Sequence, residues 1–278
     1  MDLSNNVVVH KRSNRVEYLQ FRKLLEYKEI SHAYSLGLDV NFRTSRANNT
    51  KISLNEYNYA IECYKKFCKE IGCDYINIVK PNQNHTKKVM GVFNKYNSNK
   101  PDFNLEQYNN VDGLITNKKD IMLSTVNADC ILLLFFDPVK GVIANVHSGW
   151  KGTLQRISVE TVRKMKIEYE CEPQNIICCI CPSIRKCHFE VDSDVKELFY
   201  NEFKDLKQIN EIVERTNNNS KWHIDTVLIN KIILLEEGLK EENIFDCGIC
   251  SVCNKNLIHS FRVEKQNYGL ETALIMKK

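Results

Sequence analysis

The chain has 278 residues, 43% hydrophobic and 27% charged, enough for a large core under an ordinary polar surface. Its 39 Lys and Arg barely outnumber 35 Asp and Glu, and the two signs are interspersed, so neither nucleic acid nor a membrane surface is an expected partner. No apolar run reaches the ~18 residues of a membrane span, and the start, Met1 to Asn6, lacks the apolar stretch of an export signal, so a cytoplasmic location is expected.

Asparagine and lysine are frequent, as in the run Asn217, Asn218 and Asn219, which reports coding composition rather than chemistry. Twelve cysteines in a long chain without an export signal read as thiols, metal ligands or a nucleophile, not as a disulfide frame.

In chain order, residues 1–30 are mixed and highly charged and give little pattern. Residues 52–71 carry Leu54, Ile61, Tyr64, Phe67 and Ile71 at helical spacing, and Gly72 stops that helix. A strand is expected at 75–79, then an exposed loop over 94–110 around Pro101. Residues 113–116 and 121–126 read as short strands. Residues 130–136 and 142–146 are apolar and flank a turn cluster, Asp137-Pro138-Val139-Lys140-Gly141. Thr153 is expected to open a helix with Leu154, Ile157, Val162 and Met165 along one side. A strand at 176–180, helices at 195–203 and 225–238, a cysteine-rich segment and a strand at 271–275 complete the pass. Strands and helices mix without βαβ alternation. The expected class is therefore α+β, one layered domain over 1–278 with a mixed sheet core flanked by helices.

The hairpin carries the chemistry. If it is centred between Pro138 and Val139, Cys130 and His147 lie opposite each other. Cross-strand Cβ atoms are then about 4.5–5.5 Å apart, close enough to share a metal or form a thiolate–imidazole pair. A buried thiol beside a strand-end histidine is the plain alternative.

The surrounding motifs are Asn127-Ala128-Asp129-Cys130, His147-Ser148-Gly149-Trp150-Lys151-Gly152 and, upstream, Gln83-Asn84-His85-Thr86. Downstream stand Pro182-Ser183-Ile184-Arg185-Lys186-Cys187-His188-Phe189-Glu190-Val191, His223-Ile224-Asp225, Cys250-Ser251-Val252-Cys253 and Ser260-Phe261-Arg262. Together, over 75–275, they resemble the YfiH-like family. That family is described as multicopper polyphenol oxidase or laccase, and as zinc-dependent purine nucleoside phosphorylase with adenosine deaminase activity. Thr86 stands where the family has Gly, and Lys151 where it has Arg. The family's N-terminal Arg-Gly-Gly-Val-Ser stretch is unmatched; residues 32–37 stand about there.

The resemblance implies a YfiH-like cysteine hydrolase fold with His85, Cys130 and His147 as ligands of one Zn²⁺ per chain. Three protein ligands leave the open fourth position of a catalytic zinc. A blue-copper site would add a weak axial Met, and only Met90 is near, so copper ranks well below zinc. Seven scattered histidines cannot furnish a multicopper centre. The implied substrates are a purine nucleoside (adenosine or inosine, with methylthioadenosine a further candidate) and phosphate.

Further candidates surround these. Cys130, His147 and Asp129 are the expected catalytic residues, Asp129 by accepting a proton or orienting a ligand. Lys151, at the helix entrance, and Arg262 are the expected phosphate contacts. Asp112 reads as a turn residue. Cys247, Cys250 and Cys253 have zinc-type spacing, with Cys181, Cys187 or His259 as completing ligands, whereas Cys178 and Cys179 read as buried thiols. Two other functions compete. One is an amidase or other hydrolase, using zinc or a Cys130–His147 dyad. The other is a non-enzymatic metal-binding protein working through Cys250–Cys253.

Overall fold

A computed structural model describes residues 1–13, 16–45, 52–216 and 221–278; the run Asn217 to Asn219 lies outside them. The first strands are Val8–Arg12 (β1), Glu17–Phe21 (β2), Ile30–Leu36 (β3), Ile78–Lys80 (β4), Val89–Gly91 (β5) and Asp102–Phe103 (β6). Gly113–Thr116 (β7), Met122–Asn127 (β8), Ile131–Asp137 (β9) and Val142–Ser148 (β10) form the centre. Ile177–Ile180 (β11), Glu190–Val191 (β12), Val213–Arg215 (β13), Trp222–Ile224 (β14), Ile244–Asp246 (β15) and Glu271–Lys277 (β16) follow. The helices are Arg22–Leu25 (α1), Leu54–Glu70 (α2), Trp150–Leu154 (α3), Ile157–Tyr169 (α4), Ser193–Phe203 (α5), Ile209–Ile212 (α6), Thr226–Glu236 (α7) and Phe261–Glu264 (α8).

One sheet runs β1-β2-β3-β16-β8-β4-β6, a second β15-β11-β9-β10-β7-β5, and a small third β12-β14-β13. Parallel pairs (β4 with β6 and β8, β5 with β7, β11 with β15) sit among antiparallel ones, so the fold is mixed α+β as expected. The two large sheets pack face to face. Leu132, Leu134 and Phe136 of β9 join Leu123, Tyr34 and Ile275 of the other sheet in one core. The alternate residues Ile131, Leu133 and Phe135 pack instead against Val162 and Met165 of α4 and Val227 and Leu234 of α7. The unbroken apolar run of β9 follows from burial on both faces. On the far side of the first sheet, Tyr64 and Phe67 of α2 cover Met122 and Leu274. The layers are thus helix, sheet, sheet, helices.

Helix α2 starts as its sequence asks, with Ser53 and Glu56 forming a reciprocal capping box. Four expectations need correction. The strand at 75–79 begins as a single 3₁₀ turn, Tyr75–Asn77, and pairs only from Ile78. The loop over 94–110 contains the two-residue β6. The helix expected from Thr153 starts at Trp150, stops at Leu154, and resumes at Ile157 after Arg156 takes a left-handed conformation, φ 59°. The hairpin register is shifted, with His147 opposite Leu132 and Val142 opposite Asp137. The cause is a four-residue connection. Asp137 Oδ1 accepts the N–H groups of Val139 and Lys140 at 2.8 and 3.0 Å, and Gly141 turns the chain at φ 61°. The turn centre moves by one residue and every partner by two, so the faces are kept.

Candidate metal centre and its cavity

Register alone would place Cys130 beside Gly149, one pair beyond the last bonded one. The chain brings Cys130 to His147 differently. Asp129 adopts φ 84°, turning the chain in the middle of the 128–130 bend. Asn127 holds that bend, its side-chain amide donating to the Cys130 carbonyl at 2.5 Å and to the Pro182 carbonyl at 3.1 Å. His85 arrives from a third loop. Gln83 pins it to the end of β8, exchanging two 2.8 Å hydrogen bonds with the Val126 backbone.

The ligand atoms of His85, Cys130 and His147 lie within 4.8 Å of one another. His85 Nε2 is 3.8 Å from Cys130 Sγ, and the two imidazole centroids are 4.9 Å apart. Gly149 makes this convergence possible, since a Cβ there would lie 2.8 Å from His85 Cδ2 and 3.1 Å from Cys130 Sγ.

Asp112 organises the group, a role its turn reading understated. Its Oδ1 accepts from His147 Nδ1 at 2.8 Å and from the His85 N–H at 3.0 Å. Its Oδ2 accepts the N–H of Thr86 at 2.8 Å and of Asn84 at 3.2 Å, and the Thr86 hydroxyl stands 2.8 Å away. A buried carboxylate so surrounded stays ionised: burial raises its pKa, but His147 and Thr86 outweigh it. With Nδ1–H committed to Asp112, His147 presents Nε2 to the site, the second-sphere arrangement common behind metal-bound imidazoles. Burial pushes the Cys130 thiol up, and His147 and His85 bring it below the usual thiol range, so the sulfur is held as thiolate. A thiolate and two imidazoles, one oriented by a carboxylate, fit a borderline-soft divalent cation such as zinc. Met90, the only candidate axial thioether near His85 in sequence, does not line the cavity.

The three residues open onto a cavity of about 480 Å³, within the range of small-molecule sites. Trp150, Phe189, Phe261 and Tyr268 contribute rings to it, and Arg43, Lys80 and Arg262 contribute positive charge. Arg262 is where the sequence placed an anion contact. Its side chain donates to the Glu190 carbonyl at 3.1 Å. Lys151 is a correction: it is exposed, stands over the Trp150 ring at 5.4 Å, and does not line the cavity. Helix α3 has only five residues, too short to act as an anion-binding dipole. The Asp129 carboxylate is also committed elsewhere, accepting from Ser251 Oγ at 2.5 Å and from the Arg262 N–H at 2.7 Å. This geometry supports a positioning role for Asp129 rather than proton transfer.

Sequence reasoning missed Arg43 and Lys80. Arg43 reaches the cavity by stacking 4.3 Å from the Tyr268 ring centre and donating to the Tyr268 carbonyl at 2.9 Å. Of residues 32–37, which stood in place of the family's Arg-Gly-Gly stretch, 32–36 belong to the buried strand β3 and Gly37 follows it at φ 120°. Lys80 ends β4 next to Pro81, and nothing in its neighbourhood marked it. Cys178 and Cys179 are buried thiols as expected, and none of the cysteines is in a disulfide. Among the described residues, no helix is long and apolar enough to cross a membrane.

Residues 45–278 match the family described as multi-copper polyphenol oxidoreductase laccase. Purine nucleoside phosphorylase YlmD of Bacillus subtilis is 30% identical over 167 residues, 60% of this chain and 59% of that protein. The chain thus spans about three-fifths of this relative. Adenosine deaminase RL5, from an unknown prokaryotic organism, is 30% identical over 209 residues, 75% of this chain and 78% of its own. The crystal structure of Bacillus licheniformis hypothetical protein YfiH superposes with a TM-score of 0.80 at 20% identity, covering 97% of this chain and 99% of that one. The YfiH fold is therefore shared; the hydrolase label attached to it names a chemistry that a fold alone does not carry.

Proposed function

The chain belongs to the laccase-domain (YfiH) family, and from that premise we propose that it is a zinc-dependent purine nucleoside phosphorylase that also deaminates adenosine. One observation carries the reading: a His85–Cys130–His147 ligand set opens onto a cavity lined with both aromatic rings and three cationic side chains. The rings of Trp150, Phe189 and Tyr268 suit a purine face, since each offers a flat apolar surface. Arg43, Lys80 and Arg262 suit phosphate, which demands positive donors where water is scarce.

In phosphorolysis a phosphate oxygen forms the bond to ribose C1′ while the C1′–N9 bond breaks, its electron pair leaving with the purine. The cationic side chains hold the phosphate in line, and the apolar rings keep the leaving base oriented. In deamination water adds at C6 and ammonia leaves. His85, Cys130 and His147 would hold the zinc, and when bound it would supply Lewis-acid chemistry. Asp112 keeps His147 in the ligating tautomer throughout.

A second reading uses the same atoms. Cys130 as thiolate, His147, and Asp112 behind it also form a nucleophile–base–orienter series, as a metal-free amidase would need. Chelation separates the two, because a dyad needs no metal, whereas His85 also helps to hold Cys130 as thiolate and so serves either reading. The test is product analysis on adenosine and on inosine with phosphate, for the wild type and for His85→Ala and Cys130→Ala. The zinc reading expects ribose 1-phosphate and free base from the wild type, with both variants losing at least ~100-fold in turnover. Full activity in His85→Ala, or wild-type activity that resists chelators, overturns it.

A further inference from the structure

A second cluster of soft ligands stands apart from the cavity ligands. Cys187, His188, Cys250 and Cys253 place their ligand atoms within 4.8 Å of one another. Cys187 Sγ is 3.7 Å from Cys250 Sγ and 4.0 Å from Cys253 Sγ. His188 Nδ1 is 3.1 Å from Cys187 Sγ, 3.7 Å from Cys250 Sγ and 3.6 Å from Cys253 Sγ. A tetrahedral zinc with Zn–S of about 2.3 Å and Zn–N of about 2.0–2.1 Å has edges of roughly 3.8 Å for S···S and roughly 3.6 Å for S···N. Four of these five edges come within about 0.2 Å of those values, and the edge between the adjacent Cys187 and His188 is shorter. One disulfide among the three thiols would still leave a thiol and the imidazole over, whereas one metal ion uses all four.

Two turns build it. The N–H groups of His188 and Phe189 both reach the Arg185 carbonyl at 2.9 Å, so the chain curls and sets the adjacent Cys187 and His188 on one side. The Cys-x₂-Cys turn closes through Asn254, whose backbone and side-chain N–H groups reach the Cys250 carbonyl at 3.1 and 2.8 Å. The two turns are tied by the Ser251 N–H to the Ser183 carbonyl at 3.0 Å and by the two 2.7 Å hydrogen bonds from Arg185 to Asp246. Of the partners the spacing suggested, only Cys187 is present. Cys247 is buried in the core between the sheets, as is Cys181, and His259 bonds Glu264 and the Val40 carbonyl.

We propose that Cys187, His188, Cys250 and Cys253 form a second, structural zinc site. All four positions are filled by protein, so the site is closed, unlike the three-ligand site in the cavity. Its place gives it a task. The first turn is flanked by Ile184 and Phe189, and the second leads to Phe261 and Arg262, all of which line the cavity. Both segments also meet Asp129: the Ile184 N–H donates to its carbonyl at 2.8 Å, and Ser251 and Arg262 donate to its carboxylate. A metal joining the two turns fixes the cavity wall next to Cys130.

The site is read in protein lacking the first one. Elemental analysis of the full chain should give about two zinc ions in the wild type, one in Cys130→Ala and one in Cys253→Ser. Cobalt(II) added to metal-stripped Cys130→Ala should give the intense thiolate-to-metal absorption of a tetrahedral sulfur-rich site. His188→Cys should keep the second metal, and His188→Ala should weaken it. The proposal is overturned if cobalt gives no thiolate band in Cys130→Ala, if Cys253→Ser holds as much zinc as the wild type, or if freshly purified protein carries a disulfide among the three cysteines. The cobalt spectrum decides the matter even should Cys253→Ser fail to fold. Because Cys130→Ala lacks the cavity site, the outcome is independent of any nucleoside activity.

Discussion

Lys80 is buried and lines the cavity, and the one described hydrogen-bond partner of its ammonium is the Pro81 carbonyl, 3.5 Å away. Burial, reinforced by Arg43, lowers its pKa to about 7. The sign follows from proton counting. Between pH ~7 and ~10.4 the unfolded chain binds more protons at this lysine than the folded one, so stability rises with pH across that window. Below pH ~7 the penalty of burying the charge is present in full. Lys80→Met should therefore melt higher than the wild type at pH 7, with the gap closing toward pH 10, as followed by thermal unfolding in a pH series. Phosphate bound in the cavity, as the proposed function requires, would supply the missing counter-charge, so its binding to the wild type near pH 8 should take up protons. Calorimetry in two buffers of different ionisation enthalpy measures this directly. A pH-independent gap, with no proton uptake, would mean that Lys80 does not titrate in this range.

At the scale of elements, the junction from β10 to α3 is the tightest constraint on the site. Gly149 has φ −63°, a backbone any residue adopts, so only space demands glycine here. A methyl at Gly149 would press on His85 and Cys130, both candidate ligands. Relief by moving either one damages metal binding first. Gly149→Ala should lose most of its cavity metal on dialysis and most of its turnover while unfolding within about 1 kcal/mol of the metal-free wild type. Full metal retention with unchanged turnover would show that the neighbours yield at no cost.

The same junction shows where sequence reading stops. Period and turn residues marked β7, β11, α5 and α7 to within a residue or two, because local pattern determines them. The hairpin partners slipped by two because register depends on how Asp137 caps the turn, a side-chain choice that composition does not reveal. Asp112 and His147 are 35 positions apart, and Arg43 lies far from every cavity motif, so no window of sequence joins them. The convergence of His85, Cys130 and His147 was legible through their motifs. The carboxylate that orients it and two of the three cations beside it belong to tertiary packing.

For the whole molecule, the question is what locks two apolar sheets into one relative position. Side chains such as Leu134 and Ile275 fill the space between them, but dispersion is tolerant of sliding. Directional contacts are not. Asn145 of β10 is fully buried, and its amide donates to the Leu123 carbonyl of β8 at 2.9 Å and the Ala273 carbonyl of β16 at 2.8 Å. Its Oδ1 accepts from the Thr125 hydroxyl. One side chain of the second sheet thus meets two strands of the first, two residues before His147. Asn145→Ala would leave two carbonyls and a hydroxyl facing a small gap. Each unsatisfied buried group costs ~1–3 kcal/mol, though a water entering the gap would recover part of it. An overall loss of about 2–4 kcal/mol translates to a fall in Tm of roughly 5–15 °C for a chain of this size. Asn145→Leu should do no better, since it fills the gap but satisfies nothing. Calorimetry of the two variants checks this. Melting within a degree or two of the wild type for either variant would mean that the sheets are held by shape alone and that Asn145 is a passenger in the interface.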